Sequence, residues 1–300
     1  MNRLRSWALI LLLVLWAAPH AARCDTVVHT ERSQYRNIIV SDSFGERCMR
    51  FRVQKDTKMS CMNLSEPNRL VFDCTKMMLG ALFLQPSPQK VLIIGLGGGS
   101  LPRTIAGLLP SADIDVVEID PAVVRVAGSY FGFKPGPRLH VSESDGRVFV
   151  KRAIREKSRY DLIMLDAFDQ DYIPEHLLTR DFLNETRQIL APGGVLAANT
   201  FSYSRLYDSE STTYERVYGR FFNLKKSFSN SRVILVRQNG LPTMDEVRRN
   251  AAAFTAPLRQ YGVDAGWLLS LFSTEQDWNT DAPILTDQYS PSNILRNVFF

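Results

Sequence analysis

Apolar runs alternate with amphipathic stretches through the middle of the chain. The runs predict buried strands at 90–94, 114–120, 139–142, 160–165 and 193–198. Helical patterns separate these strands, and two further runs at 223–228 and 232–237 predict a late pair of strands. Strands that alternate with helices at this spacing predict an α/β fold with a mostly parallel, doubly wound sheet.

The segment before this core has a different pattern. Residues 37–40 and 48–53 favour short strands, and Phe44-Gly45-Glu46 favours a turn between them. A small antiparallel β-hairpin region is therefore predicted. Residues 70–84 then carry apolar side chains at helical spacing, which predicts one helix that ends before Pro86.

These patterns divide the chain into four parts. Residues 1–24 are predicted to be a signal peptide or N-terminal anchor, and 25–69 a small β-hairpin domain. Residues 70–240 are predicted to form a methyltransferase-like nucleoside-binding domain, and 241–300 a C-terminal helical extension.

The first residues predict a location for the protein. Arg3 and Arg5 precede an apolar run at 8–18, which Pro19 ends. A basic start followed by a short apolar stretch is typical of a secretory signal peptide. The run is shorter than the roughly 20 residues that span a membrane. We therefore expect export to the periplasm or medium or, without cleavage, association with a membrane through this segment.

Charge and metal-ligand patterns exclude several classes of function. The net charge is +5, and the basic residues are scattered, which argues against a nucleic-acid partner. The four cysteines form no C-x-x-C pair and the four histidines no H-E-x-x-H, so no metal site is predicted. In an oxidising compartment Cys48 would pair with Cys61 or with Cys74, and the sequence leaves both pairings open beside free thiols.

The first candidate for chemistry is the glycine-rich turn inside VLIIGLGGGSLPRTI at 91–105. Here a buried strand leads through glycines into a helix. Glycines let the backbone approach a ligand closely, and the helix N-terminus offers free N–H groups. Glu118 ends the second strand, where a carboxylate accepts hydrogen bonds from ribose hydroxyls. Asp145-Gly146 follows the third strand, where a carboxylate meets the amino group of adenine. Together these features predict a nucleoside site.

The second candidate is the acidic loop LDAFDQDYIP at 165–174, which follows the fourth strand. Asp166, Asp169 and Asp171 lie close together, and three carboxylates repel one another unless a cation joins them. A carboxylate there holds an amine and takes its proton. The loop therefore predicts an amine substrate, with a solvated acidic loop or a helix cap as the alternative.

The segments that carry these features, VLIIGLGGGSLPR, VEIDP, SDGR, YDLIMLDAFD and LAPGGVLAAN, resemble the spermidine synthase (polyamine aminopropyltransferase) family. SQYRNIIV near the front and APILTDQYSP near the end fit the same family. The resemblance implies a methyltransferase-like fold behind a small β domain, with two chains paired through that domain. It also implies a small-molecule amine acceptor and decarboxylated S-adenosylmethionine as co-substrate, without a tightly bound cofactor.

The resemblance implies a role for each candidate residue. It assigns nucleoside binding to Gly95, Gly97, Gly99, Glu118, Asp145 and Gly146. Asp166 matches the catalytic aspartate, and Asp169 an aspartate that binds the acceptor amine. The implied reaction is attack by an amine nitrogen on the carbon beside the sulfonium.

Two departures from the family keep alternatives open. The family usually carries, at the position of Gly98, an aspartate that binds the aminopropyl ammonium, and it carries Tyr-Gln-Glu where this chain has Cys74-Thr75-Lys76. Gly98 favours a methyltransferase that uses S-adenosylmethionine itself. A non-catalytic nucleoside-binding protein is the third hypothesis, because a fold by itself does not prove a function.

Overall fold

A computed structural model describes residues 25–51, 58–167 and 174–290 of the chain. Asp169, predicted to bind the acceptor amine, and Asp171 of the same acidic loop lie outside these ranges. So do residues 52–53 of the predicted strand and the predicted N-terminal signal or anchor.

The chain after Cys24 begins with a small antiparallel sheet, as predicted. Its strands run in the order β1-β2-β3-β4. They comprise Thr26–Arg32, Asn37–Ser43, Glu46–Arg50 and Lys58–Asn63. A disulfide joins Cys48 of β3 to Cys61, its register partner on β4, and Cys74 is a free thiol among the cysteines that the structure describes. Of the two pairings left open by the sequence, the structure has the one with Cys61.

A seven-stranded sheet forms the core, in the order β10-β11-β9-β8-β5-β6-β7. Strands β5 to β9 comprise Lys90–Ile94, Asp113–Glu118, Leu139–Glu143, Tyr160–Leu165 and Leu190–Phe201. They pair in parallel, whereas β10 (Phe222–Lys225) and β11 (Ser231–Arg237) form an antiparallel edge. The predicted fold class, a mostly parallel doubly wound sheet after a small antiparallel β domain, is confirmed.

Nine α-helices connect and cover the strands within the described residues. They are α1 Asp73–Met78, α2 Ala81–Leu84, α3 Ser100–Leu108, α4 Pro121–Phe131, α5 Gly146–Arg155, α6 Arg180–Ile189, α7 Tyr207–Tyr218, α8 Met244–Arg259 and α9 Ala265–Ser270. A short 3₁₀ helix lies at Glu175–Leu177.

The single helix predicted at 70–84 is two short helices. The N–H groups of Leu79 and Gly80 donate to carbonyls three residues back, so the α-helical ladder stops between α1 and α2. Gly80 also packs closely, since a Cβ there would lie 3.2 Å from the Phe272 ring and 3.3 Å from a Leu224 methyl group. The helix therefore breaks where Gly80 packs closely against distant residues, and the spacing of apolar residues at 70–84 gives no sign of this break.

Both faces of the central sheet are buried, and the core side chains alternate between them. On β5, Val91 and Ile93 belong to the core on one face, with α1, α2, α3 and α8. Leu92 and Ile94 belong to the core on the other face, with α5, α6 and α7. This alternation is the period-two geometry of a strand covered by helices on both sides.

The small sheet packs on helix α4 through a third apolar cluster. Its fully buried members include Ile38, Val40, Met49, Val123, Val126 and Phe131. Because α4 follows β6, this contact holds the small sheet beside the carboxyl end of the large one. Ser60 of β4 is thereby brought next to the glycine-rich turn.

The strand order reverses at β5, whose neighbours are β6 on one side and β8 on the other. Open α/β sheets bind ligands in the crevice at the carboxyl ends of the strands that flank such a reversal. The turns after β5, β6, β7 and β8 all lie along this edge, and they carry the predicted site residues.

Candidate functional site

Gly95 is the first residue after β5, and it must be glycine. Its φ is +104°, and a Cβ there would lie 2.3 Å from the carbonyl oxygen of Asp166. Its N–H donates to the carbonyl of Val117 at 2.8 Å. The turn is therefore fixed between the ends of β6 and β8, with no room for a side chain.

Gly97 and Gly99 also have left-handed backbones, with φ of +53° and +78°. Gly99 is the N-cap residue of α3, and a Cβ on it would come within 2.6 Å of the Phe133 ring. The turn therefore presents bare main chain ahead of the N-terminus of α3, an arrangement that suits close approach of a ligand.

Glu118 ties the glycine-rich turn to the end of β6. One carboxylate oxygen accepts from the N–H of Leu96 and the other from the N–H of Asp120, each at 3.0 Å. Burial raises the pKa of Glu118, although both N–H groups act against the rise. Each oxygen has two lone pairs and uses one here, so both can still accept from a ligand hydroxyl.

Asp145 is the N-cap of α5. Its Oδ1 accepts from the N–H groups of Arg147 and Val148 at 2.9 Å, and its Oδ2 lies 2.8 Å from Nε2 of His176. The hydrogen bond to His176 is the main cause of the lowered pKa of this carboxyl. Gly146 lets α5 start against β5, because a Cβ there would lie 2.6 Å from a methyl carbon of Ile94.

Asp166 follows β8 directly. Its N–H donates to the carbonyl of Ile94 at 2.8 Å, and its Oδ1 accepts from Nδ2 of Asn199 at 2.8 Å. Burial raises the pKa of Asp166 to about 6, while the Asn199 hydrogen bond acts in the opposite direction. A carboxyl of this kind changes protonation near neutral pH, as a general base requires.

Helix α1 places Cys74 near Asp166. Burial raises the pKa of the Cys74 thiol to about 12, and the negative charge of Asp166 adds to the effect. The thiol therefore stays protonated at neutral pH. Lys76 of the same helix lies 3.5 Å from Asp73, which also pairs with Lys226 at 2.5 Å. Asp73 therefore offsets part of the positive charge of Lys76, because this one carboxylate faces two ammonium groups.

Gly98 explains one departure from the family pattern. A Cβ at this position would lie 2.8 Å from Oγ of Ser60 and 2.9 Å from the Phe131 ring. Phe131 is fully buried, and Ser60 comes from the small sheet. The space beside the turn is therefore already filled, and an aspartate does not fit there without a shift of these neighbours.

The structure brings most of the predicted residues together. The glycine-rich turn, Glu118, Asp145-Gly146 and Asp166 lie at the carboxyl ends of adjacent strands, in the order β8-β5-β6-β7. The sequence analysis missed Asn199, His176 and the proximity of Cys74 to Asp166. Asn199 had a usable signal, since it is a polar residue near the end of the strand that pairs with β8. His176 had none, because its contact with Asp145 joins a short 3₁₀ helix to the N-cap of α5, and these are far apart in the sequence.

Comparisons with known proteins agree with the fold and give its family. A family model described as "Spermine/spermidine synthase domain" matches residues 74–224. The polyamine aminopropyltransferase of Vibrio vulnificus is 41% identical over 96% of this chain and 97% of its own length. A probable spermidine synthase from Corynebacterium glutamicum superposes with a TM-score of 0.63 at 20% identity, over 85% of this chain and 98% of that one. Human methyltransferase-like protein 13 in complex with SAH superposes with a TM-score of 0.54 at 25% identity. The superposition covers 72% of this chain and 96% of that one.

The fold and the residues at its sheet edge define a methyltransferase-like α/β protein. Within that class, the matched domain and the nearly full-length relative identify the particular group. The chain belongs to the spermine/spermidine synthase family.

The predicted location, exported or anchored in a membrane, is wrong. The Vibrio relative, which is aligned over 96% of this chain, is named as a polyamine aminopropyltransferase. A basic start and a short apolar run are only a compositional pattern, and they do not outweigh this alignment. Across the described ranges, which begin at Asp25, no helix is long and apolar enough to cross a membrane.

The close packing at Gly98 leads to a stability prediction. Gly98→Ala should lower the free energy of unfolding by about 1–3 kcal/mol, because the new methyl group overpacks against Ser60 and Phe131. Urea unfolding followed by circular dichroism measures the change. Gly136→Ala is the matched control, because a Cβ at Gly136 meets no described atom within 4 Å. Equal stabilities of the two variants would contradict the packing argument.

Proposed function

We propose that this chain transfers an aminopropyl group from decarboxylated S-adenosylmethionine to a small-molecule amine. The observation that carries the proposal is the position of the Asp166 carboxyl next to the glycine-rich turn. Burial raises the pKa of this carboxyl to about 6. Membership of the spermine/spermidine synthase family supports the same activity. Polyamine aminopropyltransferase is also the name of the Vibrio relative.

The nucleoside half of the donor is assigned to the turn after β5 and the acids beside it. Gly95, Gly97 and Gly99 leave the main chain bare for close approach. Glu118 accepts hydrogen bonds from the ribose hydroxyls, using the lone pairs that Leu96 and Asp120 leave free. Asp145, with Gly146, receives the 6-amino group of adenine.

Transfer is assigned to Asp166. The amine nitrogen forms a bond to the propyl carbon beside the sulfonium, the C–S bond breaks, and its electron pair goes to sulfur. The products are the alkylated amine and neutral methylthioadenosine, and the Asp166 carboxylate accepts the proton of the attacking nitrogen. Asn199 orients the carboxylate through its 2.8 Å hydrogen bond. Most of the remaining catalysis is positioning, since the sulfonium is already a good leaving group.

Several parts of the proposal rest on the sequence. Asp169 is assigned to the acceptor amine, and it lies outside the described residues. The donor acts as a co-substrate, so no tightly bound cofactor is proposed. Pairing of two chains through the small β domain remains a prediction, as does the absence of a nucleic-acid partner.

A second candidate function is methyl transfer from S-adenosylmethionine on the same site. The packing at Gly98 favours it, because Ser60 and Phe131 occupy the place where the family's aspartate holds the aminopropyl ammonium. Without that acid, the carboxylate of S-adenosylmethionine meets no repulsion from the turn. A non-catalytic nucleoside-binding protein would have no use for a partly buried carboxyl with a raised pKa such as Asp166.

Calorimetric titration with three ligands separates the candidates. We expect tighter binding of decarboxylated S-adenosylmethionine than of S-adenosylmethionine, together with turnover of the former when a mixture of diamines and triamines is added. Methylthioadenosine should bind as the product. Preference for the carboxylated donor would instead favour methyl transfer, and binding of methylthioadenosine without any turnover would favour the non-catalytic protein.

Asp166→Asn should lower kcat by about 10²- to 10⁴-fold, the usual contribution of a general base. The binding constant for methylthioadenosine should change little, because this nucleoside contacts the turn and its acids rather than the attacking amine. Steady-state kinetics and calorimetry measure the two effects separately. Turnover at the wild-type rate would remove Asp166 from its role.

The raised pKa of Asp166 predicts the pH dependence of the reaction. The carboxylate is the active form, so kcat/KM should rise by about tenfold per pH unit below a pKa of about 6 and then level off. Asn199→Ala removes a hydrogen bond that favours the charged form of Asp166. The rise of kcat/KM with pH should therefore shift to higher pH. Asn184→Ala, on the far side of α6 and exposed, is the control. If the rise of kcat/KM occurs at the same pH in Asn199→Ala as in wild type, the assignment of this rise to Asp166 is refuted.

A further inference from the structure

His176 stands at the end of the site where the proposed adenine contact lies. Its Nε2 is 2.8 Å from Oδ2 of Asp145. The other oxygen, Oδ1, is taken by the N–H groups of Arg147 and Val148. The two oxygens of Asp145 therefore have separate tasks, since one caps α5 and the other faces His176.

Protonation decides the direction of this hydrogen bond. The contact with His176 lowers the pKa of Asp145, so the carboxyl is ionised at neutral pH and can only accept. Nε2 of His176 must then carry the hydrogen that it donates. Oδ2 keeps a second lone pair, and a further donor can approach it while the histidine bond stays in place.

The backbone around His176 is held by interactions that reach across the chain. Arg147 donates to the carbonyl of His176 at 3.4 Å, and it forms two-pronged ion pairs with Glu185 and Asp287. Thr179 also donates to Asp287 at 2.8 Å. The 3₁₀ helix that bears His176 is therefore fixed against α5, α6 and the C-terminal segment at once.

The helix cap does not depend on the histidine. Both N–H groups at the start of α5 bond to Oδ1, so the cap persists when His176 is removed. What the histidine adds is a fixed direction for Oδ2. An unrestrained carboxylate would turn about its side-chain bonds and present either oxygen.

We propose that His176 is a positioning residue for base recognition: it holds Oδ2 of Asp145 toward the 6-amino group of an adenine. The inference rests on the proposed nucleoside site and deepens it. A fixed carboxylate oxygen accepts from the 6-amino group of adenine and repels the 6-oxo group of hypoxanthine, which is itself an acceptor. Discrimination between the two bases then depends on how firmly the carboxylate is held.

The experiment compares two nucleosides that differ only at this position, 5′-methylthioadenosine and 5′-methylthioinosine, by calorimetry on the full chain. Wild type should prefer the adenine nucleoside. In His176→Ala the ratio of the two binding constants should fall by about tenfold, as expected when one hydrogen bond to a charged group is lost. His176→Gln, whose side-chain amide can donate in the same place, should retain most of the ratio.

His140→Ala is the matched control, because His140 is exposed on β7, the strand that leads to Asp145. It should leave both binding constants unchanged. A ratio in His176→Ala equal to that of wild type overturns the inference, even if both affinities fall together, because a purely structural role acts on both nucleosides equally. Failure of wild type to bind either nucleoside would overturn the proposed function itself and this inference with it.

Discussion

The contact between the ends of β5 and β8 governs the geometry of the site. Gly95 lies so close to Asp166 that a Cβ would come within 2.3 Å of the aspartate carbonyl, and the N–H of Asp166 bonds to the carbonyl of Ile94. The glycine-rich turn and the backbone of Asp166 are therefore fixed to each other through main chain alone, and the hydrogen bond from Asn199 then orients the Asp166 carboxyl. Rigidity of this kind is what positioning of two reactants requires.

Glu118 and Asp166 are partly buried acids with different surroundings. Burial raises the pKa of each carboxyl, but Glu118 also feels the positive charge of Arg36, whereas the described hydrogen bond to the Asp166 carboxylate comes from the neutral amide of Asn199. A carboxylate that loses hydration in this way is stabilised by a cation. In the proposed reaction the sulfonium of the donor and the acceptor amine bring positive charge to this edge, so substrate binding would offset part of the cost of burying Asp166.

The departure from the family pattern at Gly98 is matched by the packing around it. Gly98 faces Ser60 and Phe131, which come from the small sheet and from α4. The small sheet therefore contributes directly to the wall of the site. The disulfide between Cys48 and Cys61 braces the strand that carries Ser60. Loss of an acidic side chain at position 98 is accompanied by a neutral hydroxyl beside it, which changes the charge available to the tail of the donor.

Local sequence patterns were enough to predict the order of strands and helices, the doubly wound sheet, and the position of the glycine-rich turn, Glu118, Asp145 and Asp166 at one edge. These follow from local periodicity and from the rule that parallel strands end on the same side. The sequence did not reveal the break of the 70–84 helix, the partner of Cys48, or the contacts of Asn199, Cys74 and His176. The N-terminal pattern misled for a different reason: it is a compositional signal, and the alignment with the Vibrio relative contradicts it. The break, the disulfide and the three contacts each depend on which distant segments meet in space, and local sequence patterns do not contain that information.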